Sequence, residues 1–273
     1  HQDFLTDFRD YGITTDDPNG VQQHTPLGID IHLESYAWNM SFADAFVLLN
    51  YTFTNSSTDT IYNLYAGLWA DASVANMNYT DYYEPGGGFT WYDNLNGFDT
   101  SEDEDGFERD IAYQYDADGD AGWAETYIGF AYIGSSVSRL YSKAHYNQWV
   151  WTGNTNSNYP AYFMPQDDEA RYAKMIETVE ISDEIGAGDE DLVTAEGFPG
   201  VPNSWMLLLS AGPLGSDTQN DSINWRLPPD SSCTVVFAVV AASYAGGGEN
   251  DGIRRANLYL NKDWAQRTHD GED

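Results

Sequence analysis

Residues 45–54, AFVLLNYTFT, and 61–71, IYNLYAGLWAD, decide the fold class of this chain. In the first stretch Val47, Leu49, Tyr51 and Phe53 alternate with Asn50, Thr52 and Thr54; in the second Leu64, Ala66, Leu68 and Ala70 alternate with Tyr65, Trp69 and Asp71. A period of two belongs to β-strands, whose successive side chains point to opposite faces. The polar segment 55–59 between them reads as a turn, so the pair predicts a hairpin with both faces at least partly covered.

The same alternation continues on either side. Strands are predicted at 28–38 (GIDIHLESYAW), 108–115, 124–133, 138–151, 204–210 and 232–242, separated by turn-rich loops. That spacing predicts an all-β fold, an antiparallel, jelly-roll-like β-sandwich with long loops. Residues 1–27 predict an extended N-terminal arm, expected to fold back on its own sheet rather than add to a neighbour's. Residues 28–273 predict a single domain that ends in a helix at about 250–267. On that helix Ile253, Ala256, Leu260 and Trp264 share a face expected to pack on a sheet, with Arg254, Arg255, Lys262 and Arg267 in solvent. A short helix fits 169–180, and 72–107 reads as one long loop.

Charge narrows the function classes. There are 44 acidic residues against 11 basic ones, a net charge of −33. Nucleic acid is excluded as a partner, because binding it requires clustered Lys and Arg. No apolar run approaches the ~18 residues of a membrane helix, so membrane insertion is not expected. The single cysteine, Cys233, opens an apolar run and reads as a small buried hydrophobe. Sequons at Asn39, Asn50, Asn55, Asn78 and Asn220 are no more than Asn-, Ser- and Thr-rich composition produces by chance.

The sharpest local signal is Asp116-Ala-Asp118-Gly-Asp120. Alternating carboxylates around a glycine can deliver hard oxygen ligands to one point, which suits Ca²⁺. The order resembles the opening of an EF-hand loop without its distal Glu, since position twelve is Tyr127. Asp99 and Asp71 are candidate further ligands. Trp91 and Tyr92 in the long loop, with Trp149 and Trp151, are candidate rings for stacking on a glycan or partner. No G-x-S-x-G, H-E-x-x-H, P-loop or haem-attachment motif is present, so no enzyme is expected.

Five segments, 24–38, 44–71, 107–120, 207–214 and 227–242, resemble a family of secreted bacterial cell-surface β-rich proteins, often exported with a C-terminal sorting domain. The resemblance implies an extracellular location, a hairpin at 44–71 and an Asp-rich stretch beside it. The expected function is a non-enzymatic structural or adhesive protein that coats a cell surface or assembles on or into a filament, stabilised by calcium. The alternative is a carbohydrate-binding module of a secreted protein.

Overall fold

The computed structural model describes residues 2–10, 26–72, 74, 94–116, 126–150, 162, 164–165, 167–179, 205–216, 225–243 and 251–271. Its strands are β1 (Gln2–Arg9), β2 (Ile29–Ala37), β3 (Phe46–Asn55), β4 (Ile61–Tyr62), β5 (Leu64–Ala70), β6 (Asn94–Asp99), β7 (Ile111–Asp116), β8 (Thr126–Ser135), β9 (Lys143–Val150), β10 (Trp205–Leu214), β11 (Arg226–Leu227) and β12 (Ser232–Ser243). Helix α1 spans Asp168–Ile176 and helix α2 spans Asp251–Asp270.

One antiparallel sheet holds seven strands in the order β1-β2-β3-β12-β8-β7-β6, a second holds β5-β10-β9, and β4 pairs with β11. The small sheet lies over the β12–β6 half of the large one, with β10 against β8, β7, β6 and β12. Between them Leu207, Leu209, Tyr132, Tyr146 and Phe237 form the core. Helix α2 covers the other face of the large sheet, where Leu258 and Ala265 pack with Ile111, Tyr127, Ile133 and Ala238. Gly129 allows that approach, because a Cβ there would meet Ile111 Cδ1 at 2.8 Å and Leu258 Cδ1 at 3.1 Å. The result is the all-β, sandwich-like fold that the alternation predicts, with a C-terminal helix.

The predicted hairpin between 45–54 and 61–71 does not form. β3 gives both its edges away, to β2 (Phe53↔Ile31) and to β12 (Val47↔Val239), so β5 crosses to the small sheet and pairs with β10. Asn55 fixes the crossing. It is fully buried, donates from Nδ2 to the carbonyls of Asp59 and Leu227 at 2.8 Å each, and accepts from the Ser57 amide at 3.0 Å. β3 itself is covered on both faces: Phe46 and Leu48 lie on the helix side, Tyr51 and Phe53 on the sandwich side.

Helix α2 turns a different face inward from the one predicted. Arg254, Leu258, Lys262, Asp263, Ala265 and Gln266 are buried, whereas Leu260 is 52% exposed and Ala256 is exposed; the side chain of Ile253 lies outside the described residues. Long charged side chains can be buried when the stem packs and the head is hydrogen-bonded. The Lys262 amine donates to the Glu108 carbonyl at 3.3 Å and to Gln266 Oε1 at 3.4 Å. Burial lowers its pKa to about 8. One further prediction is revised, since the stretch 72–107 contains β6, whereas the N-terminal arm folds back on its own sheet as expected, with residues 2–9 forming β1 against β2.

Candidate functional site: acidic hairpin, apolar groove and exposed sheet edge

The predicted acidic constellation is divided by strand register. In the β6–β7 hairpin Asp99 stands opposite Ile111 and Asp116 opposite Asn94. The five residue steps along β7 from Ile111 to Asp116 span about 17 Å at ~3.4 Å per residue. Asp99 and Asp116 therefore cannot ligate one ion. Asp99 instead accepts from the Ser101 amide at 2.7 Å and bonds the Tyr259 phenol, whose pKa is raised by burial first and then by this carboxylate. Asp116 is buried at the end of β7.

Asp71 follows the last residue of β5, and burial raises the pKa of its carboxyl. Gln114 sets its position. The Gln114 amide accepts from Ala72 N–H at 2.9 Å and donates to Asn96 Oδ1 at 2.8 Å and to the Trp205 carbonyl, tying the end of β5 to the β6–β7 hairpin and to β10. Asp71 and Asp116 thus reach the same end of the sandwich. Asp118 and Asp120 lie outside the described residues, and among those described no three His, Cys, Asp or Glu side chains converge as metal ligands.

Of the aromatic candidates, Trp91, Tyr92 and Trp151 lie outside the described residues. Trp149 is not a surface platform, because it is only 6% exposed beneath α1, packed on Met206 and Leu208. Asp167 caps α1, accepting from the Ala170 amide at 2.7 Å, and the helix lies across the outer face of the small sheet. The Lys174 amine, in its last turn, sits 5.1 Å over the Trp149 ring and donates to Asn147 Oδ1 at 3.0 Å; burial lowers its pKa to about 8.

An apolar groove of 290 Å³ opens beside this contact, lined among others by Trp69, Trp149, Met164, Met175, Leu208 and Lys174. Trp69 is its accessible ring, 52% exposed. The alternation of β5 places Trp69 on the outer face, opposite Leu68 and Ala70. The missing information was that α1 ends beside it, bringing Met175 and Lys174.

The third feature is β1. All eight of its residues are exposed, and Phe4, Leu5 and Phe8 are 61%, 65% and 45% accessible. It pairs with β2 in unbroken register from Gln2↔Ala37 to Arg9↔Asp30. Among the described residues no strand lies on its other side. The Asp10 carboxylate anchors its end, accepting from the amides of Leu27, Gly28 and Ile29 at 2.6, 3.1 and 2.8 Å.

Two modification candidates are also resolved by burial. Asn55 has no room for a glycan while its amide holds the crossing between sheets. Cys233 is a buried core residue whose thiol is pushed up to about 11 by burial, which keeps it protonated and unreactive. No protein-family model matches the chain, and no curated protein matches it.

Proposed function

We propose that the chain is a non-enzymatic, extracellular structural or adhesive protein of the secreted bacterial cell-surface kind, which coats a surface or assembles on or into a filament. The observation behind this reading is β1. An exposed edge strand of eight residues, with three large apolar side chains in water and neither proline nor bulge to block pairing, is a template for a further strand. A net charge of −33 keeps such an edge soluble until a specific partner engages it. Calcium held by the carboxylates of the 116–120 segment, with buried Asp116 as its first ligand, stabilises that end of the sandwich.

The test is electron microscopy and sedimentation of the purified chain, with and without Ca²⁺, and in the presence of cell-surface material. Assemblies that grow with concentration, or retention on the surface material, together with a melting temperature that falls on chelation, are expected. A monodisperse monomer that binds no such material at high concentration would sink the proposal. The second reading, a carbohydrate-binding module, draws on the half-exposed Trp69 at the mouth of the apolar groove. It requires glycan-array binding by the native chain that the Trp69→Ala variant loses.

A further inference from the structure

We infer that Lys174 and Asn147 form an intramolecular isopeptide cross-link, in which the Lys174 amine displaces ammonia from the Asn147 carboxamide and ties α1 covalently to β9. The bond is independent of the assembly reading. It starts from a contact already in place: Lys174 Nζ donates to Asn147 Oδ1 at 3.0 Å, and the two residues are only 9% and 2% exposed. Alternation along β9 puts Asn147 on the same outer face as Trp149, and Lys174 reaches it from the last turn of the helix that packs there.

An amine attacks a carbonyl carbon only in its neutral form, and burial favours that form. Desolvation brings the Lys174 pKa down to about 8, against the opposing charge of Glu177. The Trp149 ring lies 5.1 Å from Nζ, and Met175 and Leu208 add apolar surface beside it.

The target carbon is adjacent. Asn147 Cγ is one C=O bond, ~1.23 Å, from the oxygen that Nζ already touches, which brings the reacting atoms close to the ~3–3.5 Å of a near-attack pair. The flanking residues hold the two side chains together. Ser210 Oγ donates to the Met175 carbonyl at 2.7 Å, Val179 N–H donates to the Tyr146 carbonyl at 3.0 Å, and Tyr146 N–H donates to Thr178 Oγ1 at 3.4 Å. Groups fixed in this way react as though at effective molarities of ~10⁵–10⁸ M.

The step balances within the chain. The Nζ lone pair attacks Cγ, Nζ passes a proton to the Glu177 carboxylate, and that proton goes on to Nδ2, which leaves as ammonia when the Cγ–Nδ2 bond breaks. One C–N bond replaces another, so neither oxidant nor reductant is needed. Lys262, buried with its pKa also near 8, supplies the internal contrast. Its amine is shared between the Glu108 carbonyl at 3.3 Å and Gln266 Oε1 at 3.4 Å, while the Gln266 nitrogen is held by the Ile133 carbonyl and Asp270. A single cysteine allows no internal disulfide. A bond closing the 27-residue separation of Asn147 and Lys174 would constrain the unfolded chain as a disulfide does.

Intact-mass spectrometry of the purified full chain, incubated at pH 8, decides the matter. The expected mass is lower than the sequence mass by one ammonia. Digestion should release a branched peptide carrying both Asn147 and Lys174, and tryptic cleavage after Lys174 should be lost. Asn147→Ala and Lys174→Arg should keep the full sequence mass and melt at lower temperature, and Glu177→Gln should leave most chains unlinked. A native chain at full sequence mass, or an ammonia loss that maps to Gln266 or to any asparagine but Asn147, would overturn the cross-link. A Glu177→Gln chain linked as completely as the native one would overturn the proton route.

Discussion

His32 shows how single side chains hold the N-terminal strand. Its Nδ1 lies 2.7 Å from an Asp7 carboxylate oxygen across the β1–β2 ladder, and its Nε2 lies 3.6 Å from Glu34. The Asp7 hydrogen bond, with a smaller contribution from Glu34, raises the His32 pKa above 6.5 against a modest opposing effect of burial. A raised pKa means that the folded chain binds the proton more tightly than the unfolded one. The stabilisation is complete below about pH 6.5 and disappears as pH rises through the folded value. Amide protection factors in β1, taken relative to the intrinsic exchange rate at each pH, should accordingly fall from pH 6 towards pH 8. In Asp7→Asn the His32 titration, followed by NMR, should fall back towards 6.5 and the pH dependence of β1 should flatten; an unchanged His32 titration would refute the pairing.

At the level of elements, α2 is bound to the sheet by a buried polar seam as well as by Leu258 and Ala265. Arg139 is its centre. The guanidinium donates to Asp110 Oδ2 at 2.9 Å, to the carbonyls of Glu108, Tyr132 and Ile133, and to Gln266 on the helix. Beside it Arg109 grips Asp263 through two N–H groups at 3.1 and 3.0 Å, and Arg267 grips Asp105. Asp110 is buried at positive φ, and burial raises the pKa of its carboxyl despite Arg139. Removing Arg139 would strand that carboxylate, a loss of the kind that costs about 3–5 kcal/mol. Arg139→Ala should lower the urea midpoint correspondingly, and a change under 1 kcal/mol would show that the seam contributes little.

Across the molecule, repulsion is the dominant unfavourable term that composition imposes. With 44 acids and 11 bases, many carboxylates lie within a Debye length of one another at low salt, about 10 Å at 0.1 M but ~3 Å at 1 M. The melting temperature should rise steadily as NaCl increases from about 10 mM to about 1 M. Millimolar CaCl₂ should add a further rise beyond NaCl of equal ionic strength if the 116–120 segment holds the ion. A Ca²⁺ effect no larger than ionic strength explains would leave the acidic excess as charge screening alone.

Strand existence was legible from residues 45–54, 61–71 and 232–242, because the alternation of side chains is imposed by backbone geometry one residue at a time. The fold class followed, as did the place of both helices. Pairing was not legible: β5 leaves β3 because β2 and β12, remote in sequence, already occupy both edges of β3. Nor was the buried face of α2, since Lys262 is tolerated inside only where the Glu108 carbonyl, 154 residues away, meets it. Nor was the separation of Asp99 from Asp116 legible, since the two are near in sequence yet stand at opposite ends of one hairpin. Local periodicity needs no partner, whereas burial of charge, choice of edge and convergence of ligands all depend on residues that folding brings from far along the chain.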